Sequence, residues 1–208
     1  MKLIEPLNML LDGISDREFA LIEYDSVSQY PLLPLQLVAE NSPSLFIEFG
    51  DKMSVKIPAL VKRNSEIYEK LRKIKIINVS NYKFEIECLD IYNVPLTDFG
   101  SIMSEIYSNT KKFCEECLIV LEGIEILPLY FDLRNILKGL VGLKIMLQNS
   151  TIVCFVNYDV LDLKNLALLE CIATTVIRFR GFLKENNIER YCYVLKSLNK
   201  IKRESVKL

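Results

Sequence analysis

Apolar residues in this chain fall in blocks whose spacing switches between strand and helix periods. FALIEYDS (19–26) is apolar and then polar, as a strand leaving a core would be. PLQLVAEN (34–41) predicts a short helix with Pro34 in its first turn, where the missing N–H costs nothing. SLFIEFGD (44–51), bounded by Pro43 and Gly50, predicts a second strand. SVKIPALVKRNSEIYEKLRKI (54–74) has apolar residues at 57, 60, 61, 67, 68, 71 and 74, which is helical spacing, with Pro58 marking a start or a break. IKIINVS (74–80) and KFEIECLD (83–90) predict two strands about a turn at Asn81 and Tyr82. In the second, Phe84, Ile86 and Cys88 alternate with Glu85 and Glu87, as in a half-solvated edge strand.

The second half continues the alternation. PLTDFGSIMSEIYSNTKKFCEE (95–116) predicts a helix with Thr97 as its N-cap. CLIVLEGIEIL (117–127) and STIVCFVNYD (150–159) are apolar enough for strands buried on both faces. FDLRNILKGLVGLKIMLQN (131–149) and DLKNLALLECIA (162–173) predict helices opened by Asp132 and Asp162. TTVIRFRG (174–181) and RYCYVLKSLN (190–199) predict two antiparallel strands joined by GFLKENNIE. A short amphipathic helix is expected over 3–13, ended by Gly13, and the charged tail KIKRESVKL (200–208) is expected to fray. The order predicts one α/β domain over residues 1–208: a mainly parallel central sheet, helices on both faces, and antiparallel strands at the C-terminal edge.

Composition narrows the chemistry. A chain of 208 residues, half of them hydrophobic, buries a full core without help from metals or disulfides. The net charge of −1 argues against a general nucleic-acid surface, which needs clustered Lys and Arg. Apolar runs such as CLIVL fall far short of the roughly 20 residues of a membrane-spanning helix. One lysine and then Glu5 at the N-terminus do not read as an export signal, so a cytoplasmic protein with reduced thiols is expected. The absence of histidine removes the commonest general base and zinc ligand.

In their order, these segments resemble the core of RecA-like ATPases, and more closely the KaiC-like group. ALIEYDS (20–26) is similar to the strand that feeds the phosphate loop. CLIVLEG (117–123) is similar to a Walker B strand, and STIVCFVNYDVL (150–161) to the strand after it. LLECIATTVIRFRG (168–181) and CYVLKSLN (192–199) resemble the closing helix and strands. The resemblance extends to a small archaeal family, known from the Pyrococcus group, that keeps this core without its phosphate loop. It implies a P-loop NTPase fold and side-by-side assembly.

The loop itself departs from the family. A phosphate loop needs glycines so that successive N–H groups wrap the anion, a Lys for the β- and γ-phosphates, and a Ser or Thr for Mg²⁺. YDSVSQYPLL (24–33) has no Gly and no Lys, and Pro31 and Pro34 remove two donors. Glu122 stands where the Walker B acid belongs, with Glu125 beyond it. Lys196 is kept in the closing strand, but Leu198 replaces the family's Arg. The leading expectation is a non-catalytic domain acting through protein contacts, a homo-oligomer or the partner of a related ATPase, with Tyr30 and Leu32 or Leu33 plugging the phosphate pocket. No cofactor is expected on that reading. The alternative is a nucleotide-binding protein with an atypical loop, drawing on Glu23, Asp25, Ser26, Glu122 and Lys196. The third is a carboxylate-based metal enzyme.

Other features have bland and functional readings. Glu23, Asp25, Glu48, Asp51, Glu122 and Asp159 fall at predicted strand ends, where ligands bind in such sheets but where acids also meet solvent. Cys114 and Cys117 form a C-E-E-C pair, either structural or redox-active, lacking the two further ligands that zinc needs. Arg178, Arg180 and Lys196 are anion-binding candidates or a solvated face. Leu129, Tyr130 and Phe131, with Tyr30, Leu32 and Leu33, suggest an apolar contact surface.

Overall fold

The computed structural model describes residues 14, 16–28, 32–52, 55–59, 65–113, 115–184, 187–197 and 205–207. Nine strands form one sheet in the order β4-β3-β2-β5-β6-β1-β7-β8-β9. The strands are β1 (Phe19–Tyr24), β2 (Ser44–Phe49), β3 (Lys75–Val79), β4 (Asp90–Val94), β5 (Leu118–Glu122), β6 (Thr151–Asn157), β7 (Thr175–Lys184), β8 (Asn187–Lys196) and β9 (Ser205–Lys207). From β4 to β7 every pairing is parallel, and β7–β8 and β8–β9 are antiparallel. The helices are α1 (Leu33–Glu40), α2 (Ser65–Leu71), α3 (Phe99–Phe113), α4 (Leu133–Met146) and α5 (Leu163–Ile172), with a helical stretch at 55–59 and a 3₁₀ helix at Ile124–Leu129.

Alternation along the strands builds two cores. Leu21, Ile47, Leu121 and Cys154 face the layer of α3, α4 and α5. Ala20, Phe46, Val120 and Phe155 face α1, Ile57 and Leu71. Central strands buried on both faces explain why residues 118–121 of β5 and 152–156 of β6 are all apolar. Asp132 and Asp162 cap as expected, accepting from Arg134 N (2.8 Å) and Asn165 N (2.7 Å). Among the described residues no helix is long and apolar enough to cross a membrane.

Four expectations are corrected. Residues 83–89 are not a strand. The edge strand is Asp90–Val94, parallel to β3, so no hairpin turns at Asn81 and Tyr82. The alternation at 83–88 misled because Asn93 does what a ladder would: it accepts from Phe84 N and donates to Phe84 O, both at 2.9 Å, so Phe84 and Ile86 pack on the core as a loop. Asp98, not Thr97, caps α3, accepting from Ser101 N at 2.9 Å. A carboxylate one residue later captures the free N–H that Thr97 was expected to take. The tail does not simply fray, since Ser205–Lys207 adds to β8 as β9. The expected helix over 3–13, and residues 60–64 of the helix expected over 54–74, lie outside the described residues.

Candidate functional site

Strand direction brings the turns after β1, β2, β5 and β6 to one edge of the sheet, where ligands bind in folds of this class. The turn after β1 is organised by the chain's own carboxylates. Asp25 accepts from Ser28 N (2.5 Å), Gly181 N (2.8 Å) and Tyr158 Oη (3.2 Å), while its own N–H donates to Ser28 Oγ. Asp159, in the turn after β6, accepts from Ser26 N at 2.8 Å, and Asn157 Nδ2 reaches Ser26 Oγ at 3.4 Å. Burial would raise the Asp25 carboxyl, but these donors outweigh it and hold the group below its ordinary value. Gly181 permits the approach: a Cβ there would lie 2.7 Å from Val27 Cγ1 and 2.8 Å from Ser28 N. Leu33 is buried at the start of α1 and Leu32 is half-buried. Tyr30 and Pro31 lie outside the described residues.

The strand-end acids are split between the faces. Glu23, two residues on from Leu21, shares its face and is fully buried on the α5 side. Arg178, its register neighbour on β7, donates to it from Nε at 2.6 Å and to Glu170 from Nη2 at 2.8 Å, with the Tyr158 ring 5.0 Å away. Burial pushes Glu23 up to about 7 against the pull of Arg178. Glu48 and Glu122, neighbours in the β2–β5 register, share the face of Phe46 and Val120 and so lie on the other side of the sheet. Among the described residues no three His, Cys, Asp or Glu side chains stand close enough to share a metal ion. The sheet divides the acids, which takes the geometry from a carboxylate-based metal enzyme.

The turn after β2 holds what sequence reasoning missed. Lys56 pairs with buried Glu122, and Lys52 pairs with buried Glu125 at 2.9 Å. Gly123, at φ 85, lets β5 end against β2, since a Cβ there would lie 2.1 Å from Phe49 O. Burial raises the Glu122 carboxyl against the pull of Lys56 and Lys52. Burial likewise raises the Tyr24 hydroxyl, reinforced by Glu125 and Glu122. The available signal was two lysines four apart just past a strand end, meaningful only once β5 is known to lie beside β2. The remaining oxygens Glu122 Oε2 and Glu125 Oε2 are buried without a hydrogen bond.

Lys196 is not part of this edge. It lies beside Val176, near the start of β7, and donates to Glu170 O (3.2 Å) and Ala173 O (2.5 Å), closing the C-terminal end of α5. Arg180 is exposed, its guanidinium 4.9 Å from the Phe182 ring centre. Asp51 is exposed as well. Cys117 is disulfide-bonded rather than a reduced thiol, Cys88, Cys154, Cys171 and Cys192 are free, and Cys114 lies outside the described residues.

No protein-family model matches the chain, and no curated protein matches it. Its likeness to known proteins is one of fold. A KaiC-like protein of the hyperthermophilic archaeon Pyrococcus horikoshii OT3 superposes with a TM-score of 0.64 at 18% identity, over 94% of this chain and 86% of that one. A second protein of that organism, PH0250, gives a TM-score of 0.66 at 16% identity over 93% of each chain. The flagellar accessory protein FlaH of Methanocaldococcus jannaschii gives 0.57 at 15% identity, over 89% of this chain and 80% of that one. The chain thus has a RecA/KaiC-like core, similar to those of archaeal proteins.

Proposed function

We propose that this chain is a non-catalytic KaiC-like domain that acts through contacts with other proteins, by self-association or by regulating a related ATPase, in the cytoplasm and without hydrolysing ATP. The observation that carries the reading is the occupancy of the first turn. Ser26 N–H and Ser28 N–H, which a phosphate would need, are taken by Asp159 and Asp25. An anion arriving there would meet two fixed carboxylates and, among the described residues of the turn, no ammonium group. The loop's lack of Gly and Lys supports the same conclusion, as does Leu33 buried at the start of α1.

A second reading, a nucleotide-binding protein with an atypical loop, has one observation in its favour. Lys52 and Lys56 bring two ammonium groups to the edge where phosphates would lie. Each is engaged by a buried glutamate, so binding would require breaking those pairs. Thermal melting with millimolar Mg-ATP and Mg-GTP separates the readings. A ligand at a hundredfold excess over Kd stabilises by about 2.7 kcal/mol, several degrees in a domain of this size. The expected outcome is no shift with either nucleotide. A shift of several degrees with one of them would overturn the first reading in favour of the second.

A further inference from the structure

We infer that the outer face of α4 and α5 rests on an anionic lipid surface, held by projecting apolar side chains and by the cations set among them. The inference goes beyond the protein-contact reading and does not depend on it. A helix on the outside of a domain normally turns a polar stripe of mixed charge to solvent. α4 buries Ile136, Leu140 and Leu143 against the sheet. Its opposite stripe, spaced at i, i+4, i+7 and i+11, is Arg134, Lys138, Val141 and Ile145, all exposed. α5 buries Leu166 and Leu169 and leaves Lys164 and Leu168 exposed. α4 packs against both α5 and the 3₁₀ helix, which joins the three on one side of the sheet. Leu163, at the start of α5, is 85% exposed, Leu129, at the end of the 3₁₀ helix, 80%, and Ile145 66%.

The charge on this face has one sign. The chain carries 27 acids and 26 bases, yet α4 holds Arg134, Lys138 and Lys144 and no acid. Arg134, Lys138 and Lys164 have no carboxylate partner among the described residues. Glu170, the acid of α5, is held by Arg178. The nearest other carboxylates, Asp132 and Asp162, cap the two helices, where the positive ends of the helix dipoles offset their charge. The face is therefore cationic and apolar together, which suits an anionic partner that also offers apolar depth.

Shape decides between a membrane and an acidic helix of a partner protein. The anchors of a protein interface fill packed pockets, and lysine is depleted there. Here the apolar side chains project and two lysines stand among them. A lipid surface asks for no matching shape. Projecting apolar groups sink into the boundary between headgroups and acyl chains, and each Lys or Arg close to an anionic surface adds attraction. Among the described residues no helix is long and apolar enough to cross a membrane, so the domain lies on the surface.

The test is co-sedimentation of the whole chain with vesicles of phosphatidylcholine alone, or of phosphatidylcholine and phosphatidylglycerol at about two to one. Binding is expected on the anionic vesicles, about tenfold weaker or more on the neutral ones, and falling as salt screens the exposed charges. The net charge of −1 supplies no general attraction, so binding must come from a local face. Lys138→Glu with Lys164→Glu should weaken it by about tenfold or more, and Ile145→Ser with Leu163→Ser by about tenfold. These positions face solvent, so unchanged melting temperatures are expected, and Leu163→Ser alone serves if a double variant fails to fold. Leu183→Ser, at an exposed position of β7 on the other side of the sheet, should bind like wild type. No binding to anionic vesicles, equal binding to neutral ones, or a double variant binding like wild type would overturn the inference. So would a chain that ignores both vesicles yet binds a synthetic helix with glutamates along one side and leucines along the other, which would give the face to a protein.

Discussion

The turns after β1 and β2 stand at the same edge of one sheet and reach opposite electrostatic solutions. In the first, carboxylates hold backbone N–H groups and no ammonium stands among the described residues of the turn. In the second, two ammonium groups are held by carboxylates delivered from β5 and the 3₁₀ helix after it. A nucleotide site would combine the two halves, open donors in one turn and an available lysine beside them. Here each half is closed on itself. A charged residue at a strand end is thus not a ligand in waiting, because its neighbours decide whether the charge is available.

The comparison breaks most visibly at Lys56. Lys56→Met leaves Glu122 buried and uncompensated, and a loss of about 3–5 kcal/mol is expected by denaturant unfolding. Lys52→Met also leaves a buried glutamate, Glu125, without its partner but should cost less, since the Lys52 side chain is 41% exposed and water screens its pull on that carboxylate. Equal losses would mean that the second turn is not organised around the Lys56–Glu122 pair. In the first turn, Asp25→Ala strips the acceptor from three donors, for an expected loss of about 2–3 kcal/mol. Asp25→Asn keeps one acceptor oxygen and should recover part of it. An Asp25→Ala protein as stable as wild type would show that the carboxylate does not hold the turn.

The smallest effect expected is a pH dependence. The Glu23 carboxyl sits at about 7 in the folded chain, above its ordinary 4.5, so the folded state holds the proton more tightly than the unfolded state does. Its ionisation therefore lowers stability as pH rises from about 4.5 through 7, and the penalty is complete above that window. Lowering the pH from 8 to 5 should stabilise wild type by about 1–3 kcal/mol relative to Glu23→Gln, followed as the difference in unfolding free energy. Glu122, also raised, acts in the same direction, while Asp25, held low, withdraws its support only in stronger acid. A flat difference between the two proteins would mean that Arg178 keeps Glu23 ionised throughout.

Local chemistry was legible in the sequence, and tertiary placement was not. The missing glycine and lysine of the first turn are facts about consecutive residues, and so are the apolar runs of β5 and β6 and the caps Asp132 and Asp162. The KaiC-like order of segments could be read for the same reason. Which face each acid takes depends on strand pairing, so the sequence alone cannot show that Glu23 and Glu122 stand on opposite sides of the sheet. Lys52 and Lys56 went unnoticed because their partners lie more than sixty residues away. The 83–88 alternation failed for a related reason, since one amide side chain, Asn93, replaced the ladder that period two implied.

Gly181 ties the β7–β8 hairpin to the turn after β1. Its N–H is fixed to the Asp25 carboxylate, and its missing side chain lets Val27 and Ser28 press against the strand. The strand pair and the turn that follows β1 therefore share one joint, so a side chain added at position 181 would displace both at once.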